Sequence, residues 1–303
     1  MKTTCTQRDW TAPDGESFSY SHWSAQLEPG EKLRGAVVAV HGLSGAAFDY
    51  EPLGAHLRAH GVAVYAPELR GQGNDPVAKR RGDLDRIETW FADLAAFVHL
   101  VRQEVGDAPL YFYGESMGAA ILTRFLAQAP AETHPAGLVL ASPVIAIAEE
   151  PAWWQHLIFR FFLFVNPTHR VDVRRFTKKG DPAKLVTRDE AHRLWFETAP
   201  HKMTTFTLRF FRNLYDLIAG CAEAAPRLRG PVLVLYAAND VFIPPARVEE
   251  FYARLGSSQK QLRFFPESYH LLLHDDDRAE VLAMIEDWLL PQLGAGAKKI
   301  RSA

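Results

Sequence analysis

The chain has 303 residues, 48% hydrophobic and 23% charged, enough for one large core or a core with an inserted subdomain. Its 34 basic and 36 acidic residues leave a formal net charge of −2, which provides no electrostatic footprint for nucleic acid. Two cysteines, Cys5 and Cys221, exclude a disulfide framework and lack metal-ligand spacing.

The opening MKTTCTQRDWTAPDG has no apolar run of the kind a secretory signal needs. No stretch reaches the roughly 18–20 apolar residues of a membrane-spanning helix. The expectation is a soluble, cytoplasmic protein, and two free thiols agree with a reducing compartment. After the APDGE turn, FSYSHW (18–23) is predicted to form an antiparallel edge hairpin.

GAVVAV (35–40), VAVYA (62–66), LYFY (110–113), GLVLA (137–141), VLVLY (232–236) and LRFF (262–265) read as strands. Most are apolar on both faces, as in a parallel sheet covered by helices on both sides. Residues 85–105 repeat apolar side chains three or four apart and stop at Gly106. Further helices are expected over 118–129, before Pro130, and over 278–290, before Pro291. This alternation predicts an α/β doubly wound, mostly parallel sheet.

The rhythm breaks between about 143 and 225, where the pattern is helical and shows no strand. The division expected is a core of residues 1–142 and 226–303, with a helical cap, 143–225, inserted between sheet strands over their carboxyl edge. Within it WWQHLIFRFFLFV (153–165) places Trp153, Trp154, Leu157, Ile158, Phe161, Phe162 and Val165 at helical spacing, with Gln155, His156 and Arg160 as a polar stripe. Its apolar side either packs on the fold, lines an acyl channel or touches lipid. The basic cluster HRVDVRRFTKK (169–179) reads as a solvated face or an attraction for anionic head groups. The final GAGAKKIRSA reads as a frayed tail.

Chemistry concentrates in Gly114-Glu115-Ser116-Met117-Gly118, which follows a predicted strand and opens a predicted helix. That is the context of a nucleophile elbow, in which a sharp turn holds a serine hydroxyl clear of the sheet. A helix beginning there aims backbone N–H groups at developing negative charge. The serine needs a base. His270 stands after the last predicted strand and before the last helix, again at the carboxyl edge where ligands bind. His274 is the rival, expected to be solvated among acids. Asp240, just after VLVLYAAN, is the candidate orienting acid; Asp275, Asp276 and Asp277 read instead as residues opening the last helix. The chain order Ser116, Asp240, His270 is that expected of the elbow fold. Met117 supplies one oxyanion N–H, and Leu43, past the His41-Gly42 turn, supplies the second. His41 reads as a loop-stabilising residue.

HGLSG (41–45), APELRGQGN (66–74), YFYGESMGA (111–119), AAND (237–240) and YH (269–270) together resemble the α/β-hydrolase family, specifically its monoacylglycerol lipase and lysophospholipase-like branch. The resemblance runs from about residue 9 to 290 and includes LVTRDEAHRLWFETAPHKM (185–203) in the cap. It departs at Ala119, where relatives usually have glycine, and at Gln72, where they have histidine in Arg-Gly-His-Gly. The resemblance implies a Ser-His-Asp hydrolase of carboxylic esters, acting on a small acyl ester, with no metal or cofactor. Alternatives on the same residues are an iminopeptidase-type peptidase, disfavoured by Met117 where those enzymes carry Trp, and acyl transfer to an alcohol. A ligand receptor on the same fold is the non-enzymatic alternative.

Overall fold

The computed structural model describes residues 5–147, 152–173 and 186–299. A hairpin of β1 (Cys5–Thr11) and β2 (Ser17–Trp23) opens the chain, turning at Gly15 with φ +86°. Then come β3 (Gly35–Val40), β4 (Val62–Pro67), β5 (Leu110–Glu115) and β6 (Gly137–Ala141). An inserted segment holding the short β7 (Arg170–Asp172) and β8 (Thr205–Thr207) precedes β9 (Val232–Ala237) and β10 (Lys260–Phe265). The main sheet runs β1-β2-β4-β3-β5-β6-β9-β10. All pairs from β4 to β10 are parallel, while the hairpin adds antiparallel at one edge, as expected.

Alternation along the strands divides the interior into two cores. Val38, Phe112, Leu140 and Val234 point to one face, where α2 (Ile87–Val105), α3 (Met117–Leu126) and α8 (Pro245–Arg254) cover them. Val37, Tyr113, Val139 and Leu235 point to the other, under α1 (Glu51–Arg58) and α9 (Arg278–Lys299). The sheet is therefore doubly wound, with strand carboxyl ends gathered at one edge.

The inserted segment also carries α4 (Trp153–Val165), α5 (Glu190–Thr198), α6 (Leu208–Ala219) and α7 (Cys221–Ala224). Here the structure corrects the expectation of no strand: β7 and β8 pair antiparallel, Val171 opposite Phe206. Three residues are too few to show a period of two, and the partners are far apart in sequence. α6 and α7 bury Phe210, Leu217 and Cys221 in the first core.

Two other expectations change. The last helix does not stop before Pro291 but continues through it to Lys299. Pro291 and Asp287, whose carbonyl loses its donor, are both exposed, so water can satisfy the carbonyl, while Leu293 two residues on is buried against Gly35. The tail is accordingly helical to Lys299, and residues 300–303 lie outside the described residues. In α4 the packed stripe is His156, Phe159 and Leu163, with His156 edge-on to Tyr215 of α6 at 5.7 Å. Of the three alternatives for the apolar residues at helical spacing, packing on the fold is not what the structure shows: Trp153 is 75% exposed, Phe161 63% and Val165 61%, and the neighbouring Phe164 is exposed as well. A helix apolar nearly all round does not reveal by pattern which face docks. Of the basic cluster, residues 174–179 lie outside the described residues, and Arg170 is tied to the carbonyls of Arg81 and Lys79 at 2.7 and 2.6 Å. Among the described residues no helix is long and apolar enough to cross a membrane.

Candidate active site

β5 ends at Glu115 and α3 begins at Met117, so Ser116 makes the whole turn between them. It does so at φ 57° and ψ −120°, a conformation that costs a non-glycine residue on the order of 1–3 kcal/mol. The glycines around it are required by contact. A Cβ on Gly118 would stand 1.9 Å from the Val40 carbonyl oxygen, and one on Gly114 would stand 2.9 Å from the Ala119 nitrogen. A Cβ on Gly42 would lie 2.9 Å from Ser116 Cβ, so the loop after β3 passes directly against the serine. Ala119, the departure from the usual glycine, is accommodated because Gly114 already gives the clearance, and its methyl is buried in the first core.

Asp240 and His270 are brought together. His270 Nδ1 lies 2.7 Å from Asp240 Oδ2, and both side chains are almost wholly buried. An ionised carboxylate can only accept, so Nδ1 carries the proton and Nε2 is left as the basic nitrogen. The other oxygen of Asp240 accepts from the backbone N–H groups of Phe242 and Ile243, at 2.9 and 3.3 Å, which fixes the carboxylate after β9. The Phe242 ring stands edge-on to the imidazole at 4.7 Å. Among the described residues no hydrogen bond joins the Ser116 hydroxyl to His270; such bonds commonly tighten only when substrate is bound. All three residues stand at the carboxyl edge of the sheet, past β5, β9 and β10.

The rivals have other work. His274 is not solvated: it is buried, its Nε2 donates to the Asp49 carbonyl at 2.8 Å, and its ring stacks on His192 at 3.9 Å. Burial, then the neighbouring His192, push its pKa down to about 3, so it stays neutral and donates. Asp275 accepts from the Tyr269 N–H at 2.6 Å, and Asp277 from the Ser268 hydroxyl at 2.6 Å, so both brace the loop that carries His270.

A family profile described as serine aminopeptidase, S33, matches residues 31–277. The chain belongs to that family. Its fold is that of the α/β-hydrolases, and the relatives it resembles include monoacylglycerol lipases. The monoglyceride lipase of Saccharomyces cerevisiae is 23% identical over 284 residues, covering 89% of this chain and 88% of that one. The monoacylglycerol lipase of Mycolicibacterium smegmatis is 23% identical over 302 residues, covering 97% and 100%. The crystal structure of a soluble variant of the yeast lipase with a substrate analogue superposes with a TM-score of 0.82 at 21% identity, covering 96% of this chain and 97% of that one.

In this hydrolase the loop after β3 is suspended by side chains that motif reading passed over. Ser44, at φ 58°, donates its N–H to Gln72 Oε1 at 3.1 Å and its hydroxyl to the Met203 carbonyl at 3.1 Å. Ala46 N–H bonds Asp49 Oδ2 at 2.7 Å, and Ala47 N–H bonds Glu68 Oε1 at 3.1 Å. Gln72, standing where the family usually has histidine, is therefore a strut of the loop that carries Leu43. His41 spends both ring nitrogens locally, on the Gly42 carbonyl at 2.9 Å and the Leu69 N–H at 3.2 Å, and burial lowers its pKa to about 4. The signal available in the sequence was only that polar residues interrupt two glycine-rich turns.

Behind the serine lies a cluster of buried acids. Burial raises Glu115 to about 8, with Asp49's charge adding to it, while burial raises Asp49 and Glu68 each to about 7. One oxygen of each finds no hydrogen-bond partner among the described residues, consistent with a protonated, neutral state that limits desolvation. For Glu115 the folded pKa stands above its ordinary value of 4.5, so its contribution to stability is complete below about 4.5 and is lost as pH rises to about 8. Denaturant unfolding of Glu115→Gln from pH 5 to 9 is expected to fall less steeply with pH than wild type. Parallel pH dependences would contradict the neutral Glu115.

Proposed function

We propose that the chain cleaves monoacylglycerols, lysophospholipids or similar single-acyl esters through an acyl-enzyme on Ser116. Its lipase relatives support hydrolysis of carboxylic esters. The single observation that carries the residue assignment is the buried 2.7 Å Asp240–His270 bond at the same sheet edge as the strained Ser116 turn. His270 Nε2 removes the Ser116 proton as the oxygen attacks the ester carbonyl. Asp240 holds the imidazole tautomer and stabilises the imidazolium. The N–H groups of Leu43 and Met117 stabilise the tetrahedral oxyanion, each donor worth roughly 10²–10³ in rate. His270 then protonates the leaving alcohol, and water, activated by the same nitrogen, releases the acid.

The cap is assigned to the inserted segment because it ties to both loops of the site. Met203 holds the Leu43 loop through Ser44, and Val186 accepts from the Leu271 N–H at 2.8 Å beside His270. The outward apolar surface of α4 supports peripheral contact with lipid, from which a single-acyl substrate would be drawn. The free thiols of Cys5 and Cys221 support a cytoplasmic location.

A fluorophosphonate is expected to label wild type stoichiometrically and Ser116→Ala not at all; absence of labelling on folded wild type would sink the enzymatic assignment. Asp240→Asn should retain the fold and lose about 10⁴ in kcat, as tautomer control does in the serine-protease template. A p-nitrophenyl ester series run beside monoacylglycerol and an aminoacyl-anilide tests the substrate class. The match to a serine aminopeptidase family favours including the anilide, and peak activity on it would replace the ester reading with a peptidase. For the lipid surface, replacing Phe161 and Phe164 with Asp should weaken binding to phosphatidylcholine vesicles by about tenfold or more per side chain. Hydrolysis of a short ester in solution should be unchanged, and equal vesicle binding by the variant would remove α4 from the lipid contact.

A further inference from the structure

Away from the site, two helices on the second face of the sheet bring together two histidines and a glutamate. His56 lies in the last turn of α1, and His60 follows four residues later in the turn leading to β4. That spacing puts both rings on one side of the helix end, their centroids 5.4 Å apart. Glu286 reaches them from α9. Its Oε2 lies 2.7 Å from His56 Nε2 and 3.4 Å from His60 Nε2, and one ligating atom from each residue falls within 4.8 Å of the others.

We propose that His56, His60 and Glu286 form a binding site for a divalent transition-metal ion, zinc foremost, that clamps α1 to α9. Zinc binds imidazole nitrogen at about 2.0–2.1 Å and carboxylate oxygen at about 2.0–2.2 Å, so tetrahedral ligand atoms stand about 3.3–3.5 Å apart. The His60–Glu286 separation of 3.4 Å already has that value, and the His56–Glu286 pair needs only a small opening from 2.7 Å. Two imidazoles with one carboxylate suit zinc, nickel, copper or cobalt, whereas calcium and magnesium take oxygen ligands. The three side chains are 25–29% exposed, so solvent can supply the remaining ligand.

The backbone that presents these ligands is held independently of any ion. Leu53 and Leu57 of α1 and Ile285 and Leu289 of α9 are buried in one core on either side of the cluster. Arg34 secures the His60 turn, its guanidinium donating to the His60 carbonyl at 3.1 Å and its backbone N–H to the Gly61 carbonyl at 3.0 Å. The carbonyl end of α1 also favours a cation nearby. A ligand set fixed by packing on two separate helices is preorganised, and an ion bound there joins elements distant in sequence.

The competing occupant is a proton, with the rings and carboxylate joined only by hydrogen bonds. Tag-free, chelator-treated protein titrated calorimetrically with zinc sulfate separates the two. One saturable ion per chain, a rise in Tm with zinc, and tetrahedral visible bands with cobalt are expected. Glu286→Gln and His60→Ala should each weaken binding by at least the roughly 10–100-fold that loss of an outer-shell partner alone costs a metal site. Both variants should lose the zinc-dependent rise in Tm. They should fold as wild type does by circular dichroism, and His99→Ala, an exposed histidine elsewhere, should bind as wild type. Absence of saturable zinc binding to wild type, or binding unchanged in both variants, overturns the proposal.

Discussion

The approach of three backbone segments around Ser116 is the constraint on which the rest of the structure depends. α3 must start within one residue of β5, which forces Ser116 to positive φ and presses Gly118 onto the carbonyl of Val40. The same closeness brings Gly42 against the serine and thereby sets where the loop after β3 can run. Strain of this kind persists only where the surroundings over-determine it. Here two apolar cores, one on each face of the sheet, hold β3 and β5 in register while α3 is buried along most of its length. Ser44 and Ser142, at φ 58° and 41°, repeat the positive φ near the same edge, so strain collects where the proposed chemistry occurs.

Electrostatics divide across that edge. Asp240 faces His270 with its second oxygen held by two N–H groups, which fixes the carboxyl group against the imidazole. Behind the serine, Glu115, Asp49 and Glu68 are buried with incomplete hydrogen bonding, and burial favours their neutral forms. One acid can then stabilise a developing imidazolium without a competing negative cluster close behind the nucleophile. Asp49 and Glu68 still serve as acceptors for the N–H groups of Ala46 and Ala47, so their burial has a positioning consequence.

The inserted segment is fastened to the core at one end and open to solvent at the other. α6 and α7 enter the first core, and residues 186–188 bond the stretch around Leu271, His274 and Asp275. α4 docks through a narrow stripe and leaves its largest side chains outside. Such a surface is expensive in water, which is why the contact proposed for it is with an apolar partner. The proposed lipid contact and the proposed single-acyl substrate thus rest on one feature, an apolar face that the fold itself does not use.

By itself the sequence determined the doubly wound sheet, because strands apolar on both faces alternate with amphipathic helices, and these periods belong to short segments. It also singled out Gly114-Glu115-Ser116-Met117-Gly118, since glycine at fixed offsets answers a local steric need. Asp240 and His270 were legible as candidates only through their places after strands; their 2.7 Å bond is a tertiary fact. Tertiary structure alone decided that His274 is buried, that β7 finds β8, that Gln72 supports the Leu43 loop and that α4 faces outward. It alone joined His56 and His60 to Glu286, 226 or more residues along the chain. Each of these depends on a pairing between distant segments, which no local period or short motif encodes. The backbone pattern of an element follows from its own residues, whereas the partner of a polar or surplus apolar side chain is set by what the fold places beside it.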